Sequence, residues 1–154
     1  MPLTFSKGLI KGKIAEIVFD QMFRESGEFT IIPFGYEYTM PELAQFDGIP
    51  VAEKVINNIR NAPDFVLIEE DKKQVYLVEV KYRSHMDKEE LRHIAQKVID
   101  RWKIVWLFVA TPQGFFFQPC SEVLKEGNIE PLAESWVSKD IQDDYLRLLV
   151  SFEY

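Results

Sequence analysis

The chain has one cysteine, Cys120, and two histidines, His85 and His93, among 154 residues. A single thiol excludes an intrachain disulfide, a cysteine zinc cluster and a four-cysteine iron–sulfur site within one chain. Two histidines leave too little material for a histidine-rich metal centre. Any metal would be a hard cation held by carboxylates, which points to Mg²⁺ or Mn²⁺. There is no internal repeat, low-complexity tract or long linker. No apolar run approaches the ~18 residues that a membrane-crossing helix needs, and no secretory leader pattern is present. A cytoplasmic protein without a membrane partner is therefore expected.

An excess of basic charge is also missing. The formal net charge is −7, which at first sight argues against a nucleic-acid partner. Its distribution is uneven. Residues 122–154 carry eight acids against three bases, which leaves 15 bases and 17 acids in the first 121 residues. The amino end, with Lys7, Lys11 and Lys13, has no acid before Glu16, so a locally basic surface can form there.

What is present fits a soluble globular chain, 47% hydrophobic and 28% charged. Its length suits one domain that buries roughly two-thirds of its unfolded surface. Residues 8–24 predict a helix in which Ile14, Ile17, Val18, Met22 and Phe23 form a broad apolar arc. Phe29–Phe34 is a β-rich run interrupted by Pro33. Val51–Arg60 reads as a short helix packed beside the sheet. Phe65–Glu69 and Gln74–Tyr82 predict a hairpin joined by four charged residues. Asp87 and Glu90 have the spacing of a capping box, and Leu91, Ile94, Ala95, Val98, Ile99 and Trp102 follow at helical spacing. Ile104–Ala110 reads as a strand buried on both faces, and Phe115–Gln118 as a short strand after a turn. The consecutive Phe115, Phe116 and Phe117 alternate in face and read as core or interface. Cys120 reads as a small buried hydrophobe. A further helix is expected near 140–149.

The chemistry concentrates on the hairpin. Along its second strand Val75, Leu77, Glu79 and Lys81 share one face, while Tyr76, Val78, Val80 and Tyr82 share the other. A carboxylate and an ammonium ending so apolar a run need partners, because burying either alone is costly. Asp64 begins the neighbouring strand, and antiparallel pairing brings it beside Glu79. Two carboxylates that hold a divalent ion suit phosphodiester hydrolysis, which needs an activated water and charge neutralisation at phosphorus. Lys81 can orient the water or neutralise developing charge, and the Val80 carbonyl can add an oxygen ligand.

Pro63-Asp64, fourteen intervening residues, then Glu79-Val80-Lys81 resembles the signature of the PD-(D/E)XK nuclease superfamily, with its restriction-endonuclease-like fold. The resemblance covers about residues 8–118 and is loosely similar to archaeal Holliday-junction resolvases. It implies an α/β fold with an αβββαβ core, a central mixed sheet flanked by helices, here followed by an acidic helical C-terminal extension over about 119–154. It implies a metal-dependent endonuclease, acting on DNA rather than RNA in repair, recombination or defence. The expected cofactor is one or two Mg²⁺ or Mn²⁺ ions, and the expected assembly a homodimer, since duplex cleavage needs two active sites. The catalytic set implied is Asp64, Glu79, Lys81, Glu16 and Gln96, with Asp64, Glu79, Val80 and Glu16 toward the metal.

Glu16, in Gly12-Lys-Ile-Ala-Glu16, looks like the first-helix glutamate of the family, with a solvated helix face beside Asp20 and Lys13 as the competing reading. Gln96 matches the polar residue on the helix after the lysine-bearing strand and also suits plain solvation. Lys11, Lys13, Arg83, Arg92 and Lys103 are candidates for contacts with nucleic acid. His85 in a loop carries no assigned role. The competing expectation, which the acidic balance favours, is a catalytically inactive nuclease-fold module that binds nucleic acid or a protein partner.

Overall fold

A computed structural model describes residues 3–34, 62–71 and 73–152. The expected helix over Val51–Arg60 lies outside the described residues. Within them the protein is α/β, a five-stranded mixed sheet with four helices. The elements follow as α1 (Leu3–Glu25), β1 (Phe29–Pro33), β2 (Phe65–Glu69), β3 (Gln74–Tyr82), α2 (Lys88–Arg101), β4 (Val105–Thr111), β5 (Gly114–Pro119), α3 (Cys120–Glu126) and α4 (Lys139–Val150). None of these helices is long and apolar enough to cross a membrane.

The strands lie in chain order, β1-β2-β3-β4-β5. All neighbours are antiparallel except β3 and β4, the pair that α2 connects. A parallel pair needs a crossover of this kind, because a tight turn can join only antiparallel strands. The β2–β3 register sets Phe65 against Val78 and Glu69 against Gln74.

Side-chain alternation on the strands feeds two separate cores. On one face Phe65, Leu67, Val78, Val80, Phe108, Ala110, Phe115 and Phe117 pack against Ala15, Val18, Phe19, Met22 and Phe23 of α1. The ring of Phe19 lies 5.0 Å from that of Phe108 and 5.1 Å from that of Phe65. On the other face Leu107, Val109 and the partly buried Leu77 and Phe116 meet Leu91, Ile94, Ala95 and Val98 of α2 and Val123 of α3. The three consecutive phenylalanines thus serve both layers, Phe116 facing away from its neighbours as the period of two requires.

Several expectations are revised. The first helix begins at Leu3 rather than near residue 8, and Ile17 is 61% exposed; the buried stripe runs through Ala15 and Phe19 instead. Ile104 precedes β4 and is exposed, so the strand starts one residue later, buried throughout except for the partly buried Trp106. Asp87 caps α2 by accepting a 3.2 Å hydrogen bond from the Glu90 amide, but the Glu90 carboxylate binds Arg83, which leaves only half of the capping box. Helix α3 is an element that periodicity over so few residues does not announce. It ends at Gly127, whose φ of 75° lies in the left-handed region, and a Cβ there would stand 2.7 Å from the Arg92 guanidinium.

The region from 119 onward is built into the fold. Leu132, Val137 and Leu149 belong to the α1-side core. The Trp136 indole stacks on Phe29 and meets Tyr76, Trp106 and Phe117 edge-on at 5.1–5.3 Å. Buried Gln142 donates to the carbonyls of Leu132 and Val137 at 3.2 and 2.8 Å, which locks α4 to the segment before it. Removing an aromatic side chain from such a cluster leaves a cavity as well as losing buried surface. Trp136→Ala is expected to cost about 3 kcal/mol of unfolding free energy, read by urea denaturation; a loss below about 0.5 kcal/mol, typical of surface positions, would show the region to be a dispensable extension.

Candidate metal and phosphate site

Asp64 stands one residue before β2, at the end of its pairing with β3. Continuing that register would place Asp64 opposite Glu79 and Pro63 opposite Val80. Proline has no N–H, so the ladder cannot continue there. The Asp64 carboxylate takes over, and its Oδ2 accepts the Val80 amide at 2.8 Å. In a strand the N–H and C=O of one residue point to the same edge. The Val80 carbonyl therefore faces the end of β2 as well, where Pro63 offers it no donor. The Asp64 carbonyl, in turn, accepts the Phe34 amide at 2.8 Å, which ties the segment to the end of β1.

Glu79 and Lys81 emerge from β3 on the α2 side, as alternation requires. The Lys81 Nζ lies 3.7 Å from Glu79 Oε2. The Asp64 and Glu79 carboxyl groups are close enough for the charge of one to oppose ionisation of the other. Burial, and then the Glu79 charge, push the Asp64 carboxyl from 3.8 up to about 8, against the opposing pull of the Val80 amide and Lys81. Three of the expected residues, Asp64, Glu79 and Lys81, thus stand together.

Two cavities meet at Asp64. One, of about 290 Å³, lies between α1 and β3 and is lined by Gly8, Gly12, Lys13 and Glu16 together with Asp64, Lys81 and Arg83. The other, of about 380 Å³, lies between β3 and α2, where Glu79, His93 and Lys97 join Asp64, Lys81 and Arg83. Glu16 accordingly shares a cavity with Asp64 but not with Glu79, and it pairs with Lys13 at 3.6 Å. Among the described residues no three His, Cys, Asp or Glu side chains form a group able to hold a metal ion.

The remaining candidates divide clearly. Arg83 lines both cavities, with its guanidinium bound to Glu90 and to the Tyr82 carbonyl. Lys11 sits over the Tyr82 ring at 5.1 Å, a cation–π contact beside the α1 cavity. Gln96 donates to Asp100 at 2.7 Å and lines neither cavity. Arg92 donates to the Leu124 carbonyl at 3.3 Å, which joins α2 to α3. Lys103 precedes β4, whose first pair is Val105 with Leu77, whereas Glu79 and Lys81 pair with Leu107 and Val109; it lies toward the other end of the strand. His93 and Lys97 escaped the sequence reading. They are exposed residues of α2 that line the cavity between β3 and α2, and helical spacing alone does not mark them.

The donor set suits a hard cation. All its atoms are oxygens, and Mg²⁺ commonly binds through one or two carboxylates while keeping water and substrate phosphate as further ligands. A soft ligand is absent from the set, since burial pushes the Cys120 thiol up to about 12. Comparison of the chain with protein-family models and with curated proteins finds no match.

The carboxyl pair makes stability depend on pH. Asp64 titrates near 3.8 in the unfolded chain and near 8 in the fold, so between those values the native state holds the extra proton and stability falls as pH rises. Below 3.8 the group contributes nothing, and above about 8 the full penalty stands. Without divalent ions, Asp64→Asn is expected to flatten the fall in melting temperature between about pH 5 and pH 8. A slope unchanged from the wild type would mean that Asp64 ionises normally.

Proposed function

We propose that this chain is a metal-dependent endonuclease of the PD-(D/E)XK type, built on a restriction-endonuclease-like core and acting on DNA as a homodimer. The single observation that carries the reading is the Asp64–Glu79 carboxyl pair with Lys81 beside it, at the end of the β2–β3 pairing. The order α1-β1-β2-β3-α2-β4 supports it, because it is the αβββαβ order that the sequence resemblance implies.

Asp64, Glu79 and the Val80 carbonyl would hold Mg²⁺ or Mn²⁺, with Glu16 reaching Asp64 from the α1 side. What such an ion supplies when bound is Lewis acidity at a phosphate oxygen and a more acidic water. The chain's own residues do the rest. The Val80 amide keeps one Asp64 oxygen in place, which leaves the other available to a ligand. Lys81 places positive charge next to the carboxylates, where a phosphate in the cavity gains a charge-assisted hydrogen bond. Arg83, fixed by Glu90, adds a second cation at the mouth of both cavities.

With Mg²⁺ or Mn²⁺, the purified protein is expected to nick or cut plasmid or branched DNA, and Asp64→Ala or Lys81→Ala to lower the rate about a hundredfold or more. Unchanged cleavage by these variants would sink the assignment.

A second reading, a nuclease-fold module that binds without cutting, is favoured by the lack of a three-ligand group among the described residues and by the net charge of −7. Calorimetric titration separates the two. The nuclease reading expects Mn²⁺ binding at millimolar concentration or tighter that is lost in Asp64→Ala and Glu79→Ala; heat that is absent, or unaffected by both variants, favours the binding module.

A further inference from the structure

We propose that His93 and Lys97 of α2 are substrate-positioning residues that bind a backbone phosphate of the nucleic acid neighbouring the one at Asp64 and Glu79. This rests on the nuclease reading above and extends the site onto a helix face that the sequence pattern did not single out.

The two side chains lie one helical turn apart, at i and i+4, and so project as neighbours. Both line the cavity of about 380 Å³ that also contains Asp64, Glu79, Lys81 and Arg83, a volume within the range of small-ligand pockets. Ile94 and Val98 form the apolar part of its wall and fix the rotation of α2 by their burial in the sheet-side core. The helix therefore presents His93 and Lys97 to the cavity as a consequence of its packing.

Their neighbours are committed elsewhere. Glu90 holds Arg83, Arg92 donates to the Leu124 carbonyl, and Gln96 donates to Asp100. Asp100, the acid one turn beyond Lys97, is thereby occupied. Among the described residues neither His93 nor Lys97 has a hydrogen bond or ion pair. Among the described residues the cavity is lined by Lys97, Lys81, Arg83 and the His93 imidazole against two carboxylates, Asp64 and Glu79. The complement of such a wall is an anion. A polymer of phosphodiesters suits such a lining, because Asp64 and Glu79 come from the β2–β3 end and His93 and Lys97 from α2, so one phosphate can meet the carboxylate side while its neighbour meets the helix.

The test uses the full chain with Mg²⁺ and a fluorescently labelled DNA oligonucleotide, read as KM against kcat and as the salt dependence of binding. Lys97→Ala is expected to raise KM about tenfold with kcat within about twofold, as lost uniform binding should, and to reduce the log–log salt slope by about 0.7–0.9, the value of one phosphate contact. Lys97→Arg restores the slope. His93→Ala raises KM about threefold, the loss of one ordinary hydrogen bond. Lys139→Ala, which removes the same charge from the first turn of α4, moves neither quantity. Cleavage by the wild type with KM and slope unchanged in Lys97→Ala and His93→Ala overturns this inference and leaves the nuclease reading standing. A wild type that neither cuts nor binds the DNA overturns both.

Discussion

The hydrogen bond from the Val80 amide to the Asp64 carboxylate is the contact on which the site depends. It forms because Pro63 cannot continue the β2–β3 ladder, so a side chain takes the amide that the backbone leaves open. That substitution has two consequences. It pins a carboxylate at the end of the sheet in one orientation, beside Glu79, and it leaves the Val80 carbonyl directed at the same space. Burial, and then the Glu79 charge, push the Asp64 carboxyl upward. A position that strains to hold two negative charges is one where a cation gains most by binding.

The packing makes that orientation durable. β3 is central in the sheet, with antiparallel β2 on one side and parallel β4 on the other. Val78 and Val80 anchor it to the α1 layer and Leu77 to the α2 layer, so Glu79 and Lys81 emerge from a strand held on both faces. The C-terminal region contributes to this rigidity through Trp136, which contacts aromatic side chains from β1, β3, β4 and β5. Five of its acids, Glu122, Glu126, Asp140, Asp143 and Asp144, lie on helices α3 and α4, whose other faces contribute to the core. Asp143 and Asp144 are occupied locally by Lys139 and Arg147.

Much of the architecture is legible from residue pattern alone. The β2 and β3 boundaries, the capped start of α2 and the buried run of β4 all follow from alternation, helical spacing and capping chemistry, which are local properties. The misses have tertiary causes. Ile17 lies on an apolar arc yet is exposed, because the sheet meets α1 along the Ala15–Phe19 line instead. Helix α3 is seven residues long, too short for periodicity to reveal. The partners of Gln96 and Arg92, Asp100 and the Leu124 carbonyl, are likewise tertiary or helix-face contacts that the residue pattern does not name.

By itself the sequence determined the strand that carries Glu79 and Lys81, the face they share, and the break at Pro63 that leaves Asp64 at its neighbour's end. These follow from covalent geometry and from a period of two, which no distant residue can change. Only the tertiary structure decided which helical residues face that strand. The rotation of α2 is set by burying Leu91, Ile94, Ala95 and Val98 against the sheet, and with that rotation His93 and Lys97 line the cavity while Gln96 does not. One residue of shift along a helix turns a side chain by about 100°, so the choice between Gln96 and Lys97 rests on how two layers pack, a contact between segments that no local spacing encodes.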